Sequence, residues 1–156
     1  EIYRRSLYTY FKRTAPPPFM SNWDAPNRET FCTRRERSNT PLQALQLMND
    51  VQHVEAARCL AERLLKQSSN EDKDNARVSK LFEWVLARQP DAYEQEQVLQ
   101  FLAECRNRLL AAPEDAKRIA TTGERWRDAN LPVEDVATWT LVSNLILNLD
   151  ETVTRN

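Results

Sequence analysis

The chain has 156 residues and a mass of 18.2 kDa, enough for one domain with a real core. Its single glycine, Gly123, stands where average usage of about 7% would give roughly eleven, which excludes phosphate-cradling loops and dinucleotide fingerprints and disfavours tightly turned sheets. Net charge is −1 with 29% charged and 41% hydrophobic residues, a globular composition, and no apolar run approaches the roughly 18 residues of a membrane span.

Charge is unevenly distributed. Residues 1–40 carry eight Lys/Arg against four acids, a net of +4; the remaining fourteen bases face nineteen acids, a net of −5. Residues 1–39 read as an extended basic arm, with short helical turns as the alternative. Leu7-Tyr8-Thr9-Tyr10-Phe11 favours strand but has no candidate partner strand in the chain, and Pro16-Pro17-Pro18 is a stiff spacer. Arg4, Arg5, Arg13, Arg34, Arg35 and Arg37, interleaved with Tyr8 and Tyr10, are the candidate contacts for an anionic polymer or a protein partner. Starting on Glu-Ile-Tyr-Arg-Arg, the chain is expected to be part of a longer polypeptide.

From residue 40 the pattern is helical. Thr40-Pro41-Leu42-Gln43 combines a side-chain cap, a proline at the first helical position and a capping-box glutamine. A helix over 41–48, a break at Asn49-Asp50 and a longer helix over 51–67 follow, with Leu42, Leu45, Leu47, Met48, Val54, Ala57, Ala61, Leu64 and Leu65 as the apolar face. Residues 68–74 form a polar loop. Val78, Leu81, Phe82, Val85 and Leu86 line one stripe of a helix over 75–88 that Pro90 stops. Asp91 and Glu94 box the start of the next, whose inward face is Val98, Phe101, Leu102, Cys105 and Leu109.

Pro113-Glu114-Asp115 opens a short helix, 121–131 is a loop, and Pro132-Val133-Glu134-Asp135 opens the last helix. That helix is apolar around most of its circumference and belongs at the centre of the bundle. The expected fold is all-α: an irregular bundle of five to six helices over 40–149, behind the arm and followed by a tail over 150–156.

Catalytic and metal chemistry find little support. His53 and Cys59, six residues apart, point about 120° away from each other around a helix and cannot pair within it; His53 reads as a partly exposed helical histidine. Cys32, Cys59 and Cys105 show neither zinc-ribbon nor haem-attachment spacing, and read as structural thiols, with one bridge through Cys32 left open. No catalytic, cofactor or metal residues are assigned. Asp150 and Glu151 follow the last helix, where its dipole repels them, so pairing with Arg34, Arg35 or Arg37 is expected to tie the chain's ends together.

Several stretches carry a resemblance. Tyr3 to Tyr10, Asp24-Ala25-Pro26-Asn27-Arg28-Glu29, Arg34 to Leu45, Asn49-Asp50 and Asn148-Leu149-Asp150-Glu151-Thr152 together resemble the C-terminal part of a planctomycete-specific domain of unknown function. That domain accompanies planctomycete cytochrome-c-like modules. One departure is Val51, where the family pattern has proline after the Asn-Asp pair. The resemblance implies a bacterial, extracytoplasmic protein, connected through its neighbours to electron transfer or polysaccharide breakdown, and it brings no catalytic residues.

Three function classes follow. The leading one is a non-catalytic structural or interaction module that packs against upstream domains of the same polypeptide. The others are an anionic-polymer binder, with nucleic acid the less favoured polymer, and part of an enzyme whose site is completed by upstream residues.

Overall fold

The structure is a computed structural model, and it describes residues 6–12, 14–26, 29, 31–34, 38–67 and 74–154. A 3-10 turn, Ser6–Tyr8, is followed by α1 (Pro18–Asn22), α2 (Pro41–Asn49), α3 (Val51–Gln67), α4 (Asp74–Leu86), α5 (Ala92–Ala111), α6 (Pro113–Ala120), α7 (Val133–Leu147) and α8 (Asp150–Val153). No strand occurs among the described residues, and six of the helices have eight or more residues. The fold is all-α, as expected.

The local start signals act as the sequence predicts. Thr40 Oγ1 accepts from the Gln43 amide at 3.3 Å while Gln43 Oε1 accepts from the Thr40 amide at 3.0 Å. Asp91 and Glu94 reciprocate in the same way at 2.7 and 2.8 Å. Asp50 is the break between α2 and α3, its backbone extended at φ −66° and ψ 133°. Val51 then takes the first helical position of α3, which is where the family pattern's proline would also fit.

α7 lies in the middle, packed on α3, α4, α5 and α6. Trp139, Val142 and Ile146 of α7 meet Ala61 and Leu64 of α3, Val78, Leu81 and Phe82 of α4, and Val98 and Leu102 of α5. A second cluster joins Val136 and Ala137 to Leu109 of α5 and to Ala116 and Ala120 of α6. α7 also buries hydroxyls. Thr138 and Thr140 satisfy theirs by donating to the carbonyls four residues back, Glu134 and Val136, at 2.7 and 2.6 Å.

Five expectations need correction. Leu7–Phe11 does not extend into a strand: Thr9 N donates to Ser6 O at 3.2 Å in a 3-10 turn, since a strand without a partner would leave its backbone groups unpaired. Pro18 is not spacer but the first residue of α1, using its fixed φ and its missing N–H. α4 ends at Leu86 because Ala87 turns left-handed at φ 56°, before Pro90 is reached. Asp150 and Glu151 do not trail α7; they open α8, where the dipole at a helix start favours acids. Finally, α2 is turned inside out: Gln43 is its buried residue, while Leu42, Leu45 and Met48 are 60%, 58% and 47% exposed.

The accessible surface is 11044 Å², against the roughly 8,000 Å² that mass scaling gives for a compact monomer. The arm contributes to the difference through Leu7, Tyr8, Tyr10 and Phe31, all largely exposed.

Candidate functional site

Three polar assemblies and one cleft hold the elements around the core together. The first assembly fastens the arm to α2. Gln43, already engaged in the capping box through Oε1, uses its Nε2 to donate to Asn22 O at 2.7 Å and to Ser38 Oγ at 3.0 Å. Ser38 in turn donates to the Asp24 carboxylate, from its amide at 2.7 Å and from its hydroxyl at 2.8 Å. These bonds hold the Asp24 carboxyl below its ordinary range, the Ser38 amide being the main cause. Asp24 takes the left-handed conformation (φ 52°) just beyond α1, which aspartate tolerates better than most residues. Asn22 Nδ2 completes the link by donating to Gln46 Oε1 at 3.2 Å.

Beside this fastening runs an open cleft between the arm, α2 and α8. Phe19 and Trp23 of the arm, Leu47 of α2 and Val153 of α8 make its apolar lining, with Asp24, Arg34 and Asp150 among its charged residues. Trp23 Nε1 is sealed from solvent and has no acceptor among the described residues.

The second assembly is buried. Arg58, in the middle of α3, is fully enclosed. Its Nη1 donates to Glu62 Oε1 at 2.5 Å, its Nη2 reaches Glu55 Oε1 at 3.5 Å, and Nε and Nη2 donate to the carbonyls of Thr122 and Arg125 at 3.0 and 2.7 Å. Glu55 answers by accepting from the amides of Glu124 and Arg125 at 3.0 and 2.6 Å. The loop after α6 is thus clamped to α3 by charge. Gly123, at φ 101°, lies so close that an added Cβ would sit 2.2 Å from the Glu55 carboxyl carbon, which explains why the chain's one glycine stands there.

Just after α4, Arg88 ties α8 to the start of α5. Its guanidinium binds Glu151 at 2.7–3.1 Å and Glu94 at 2.7 and 2.8 Å. Arg88 and the Asp91 amide pull Glu94 down to about 2, and Arg88 also lowers Glu151. Because the folded pKa lies below the ordinary value near 4.5, this contribution is present above that pH and fades as pH falls towards 2. The groups are partly solvated, so the effect is modest and salt-sensitive. In a carboxyl-carbon NMR titration Glu94 is expected to titrate near 2, and to move up towards the ordinary range, without fully reaching it while the Asp91 amide still donates, once Arg88 is replaced by methionine; an ordinary midpoint in the unmodified protein would contradict the geometry.

The sequence-predicted residues are distributed as follows. Arg34 and Asp150 line the same cleft, but Glu151 is taken by Arg88, and Asp150 accepts from Thr154 Oγ1 at 3.1 Å. Tyr8 and Tyr10 are 67% and 83% exposed and line no part of the cleft. Arg4, Arg5, Arg13, Arg35 and Arg37 lie outside the described residues.

His53 is partly exposed, stacked on Phe19 with ring centroids 6.4 Å apart, and its Nδ1 is 3.6 Å from Asp50 Oδ1. Cys32, Cys59 and Cys105 are free thiols, and burial raises the pKa of Cys105. Among the described residues no group of three His, Cys, Asp or Glu could hold a metal ion. Sequence reasoning missed Arg58, Glu55 and Glu62, and it missed the second role of Gln43.

Residues 1–102 match the model of a protein family described as "PSD1: Protein of unknown function (DUF1553)". No curated protein and no solved structure matches the chain.

Proposed function

We propose that this chain, which belongs to the PSD1 family of proteins of unknown function (DUF1553), is a non-catalytic interaction module that docks against another part of the polypeptide carrying it. The observation that carries this is the inversion of α2. Its glutamine is buried and fastened to the arm, while Leu42, Leu45 and Met48 face outward. Exposing three large apolar side chains on one nine-residue helix forfeits burial worth about 1.5–3 kcal/mol for each. A second surface that covers them recovers it.

The adjoining cleft supports the same role, since it runs along α2 through Gln43, Ala44 and Leu47 and continues the exposed apolar surface of that helix. The partner is an upstream domain of the same protein. The setting is extracytoplasmic and bacterial, in keeping with the resemblance to planctomycete domains found beside cytochrome-c-like modules.

Hydrogen exchange tests this directly. In the intact gene product the amides of α2 are expected to exchange at least about tenfold more slowly than in the 156-residue chain alone, with Leu45→Glu abolishing the difference. Equal exchange in the two would overturn the assignment.

A further inference from the structure

We infer that the loop after α6 is a second, preformed interaction surface, with Trp126 as its anchor, for an acidic polypeptide segment bearing an apolar side chain. It is distinct from the docking face just described: none of the residues lining the cleft comes from 121–131.

Trp126 is 93% exposed, the most exposed of the chain's large hydrophobic side chains among the described residues. An indole is usually drawn into the core even when its N–H stays wet. Here the opposite is enforced from both sides. On the N-terminal side, the buried Arg58–Glu55 pair grips the backbone of residues 122, 124 and 125. On the C-terminal side, Arg127 Nη1 donates to the carbonyls of Asp128 and Leu131 at 2.9 and 2.7 Å, and Lys66 holds Asp128 at 2.7 Å. A loop backbone held this way gives up little further freedom on binding, and a tryptophan between arginines has the composition of a binding hot spot.

Charge selects the partner. Arg127 spends its hydrogen bonds on neutral carbonyls and Arg125 Nη1 points at the Cys59 sulfur at 3.8 Å, neither with a carboxylate partner among the described residues. The last turn of α6, which leads into the loop, adds Lys117, while Arg118 there pairs with Asp115 at 3.8 Å. Asp128 is neutralised by Lys66, leaving Glu124 as the loop's one acid without an ion pair among the described residues. Arg125 and Arg127 on either side of Trp126, neither with a carboxylate partner among the described residues, are complementary to Asp/Glu flanking an apolar residue.

The test is selection from a phage-displayed random peptide library on the full 156-residue chain, counter-selected on the Trp126→Ala variant. Enriched peptides are expected to combine a large apolar residue with neighbouring Asp or Glu. Their synthetic forms should lose at least about 30-fold in affinity on Trp126→Ala, and should weaken with Arg125→Glu and with added salt. Trp126→Ala is expected to leave the unfolding midpoint unchanged. The inference is overturned if that variant unfolds earlier, which would make the indole structural. It is equally overturned if no peptide discriminates the variant, if enriched peptides lack acids, or if their binding follows Leu45→Glu. Binding of phosphatidylglycerol vesicles in place of peptides would also overturn it.

Discussion

Replacing Arg58 with methionine is expected to destabilise the protein by about 3–5 kcal/mol, the cost of breaking a buried ion pair by removing one partner. The guanidinium is fully enclosed, and Glu55 and Glu62 are 3% and 4% exposed, so the substitution leaves two carboxylates without their cation in a place water barely reaches. It also strands the carbonyls of Thr122 and Arg125, which Arg58 serves at 3.0 and 2.7 Å. Denaturant unfolding gives the loss, and a loss below about 1 kcal/mol would contradict the burial.

The loop should respond separately from the core. With its clamp gone, the amides of Glu124 and Arg125 are expected to exchange faster, because Glu55 alone no longer has a fixed orientation. The companion variant separates a missing charge from a missing shape: Arg58→Met combined with Glu55→Gln and Glu62→Gln removes all three charges of the cluster. It is expected to recover part of the stability, since uncompensated carboxylates rather than lost attraction dominate the single-variant cost.

This assembly also marks the limit of what the sequence discloses. Capping boxes are local: Thr40 with Gln43 and Asp91 with Glu94 each involve residues three apart, and both are readable without a fold. The centrality of α7 was equally legible, because a helix apolar around its circumference has few other places to go. Glu55, Arg58 and Glu62 form a charged stripe that pattern reading assigns to solvent. They are inside because a loop more than sixty residues further along the chain covers them, which no window of helical periodicity contains.

α2 fails for a related reason. Its leucines were expected inward on spacing alone, yet Asn22 and Ser38 provide partners for Gln43, and those partners decide which face is covered. Once α8 exists, Glu151 points to Arg88, a residue whose position follows from the left-handed turn at Ala87; of the arginines expected to meet the chain's end, Arg35 and Arg37 lie outside the described residues.

Trp139→Ala is expected to be about as damaging as the loss of Arg58, at about 3–5 kcal/mol, through a different mechanism. Trp139 is the largest of the fully buried side chains and sits where α3, α4 and α5 converge on α7. Truncation opens a cavity that three helices border, and none can close it without leaving its other contacts. Arg77, whose guanidinium carbon lies 5.9 Å from the ring centroid, loses a cation–π contact as well.

Trp139→Phe distinguishes lost volume from lost hydrogen bonding. The indole Nε1 has no acceptor among the described residues, so phenylalanine keeps much of the packing and removes a buried donor that was costing stability. Its net cost is expected to stay below about 2 kcal/mol. Both variants should shift the denaturant midpoint at constant slope, the sign that the change lies in the native core rather than in the unfolded ensemble. Equal losses for alanine and phenylalanine would mean that the indole N–H, rather than the ring, holds the centre of the bundle together.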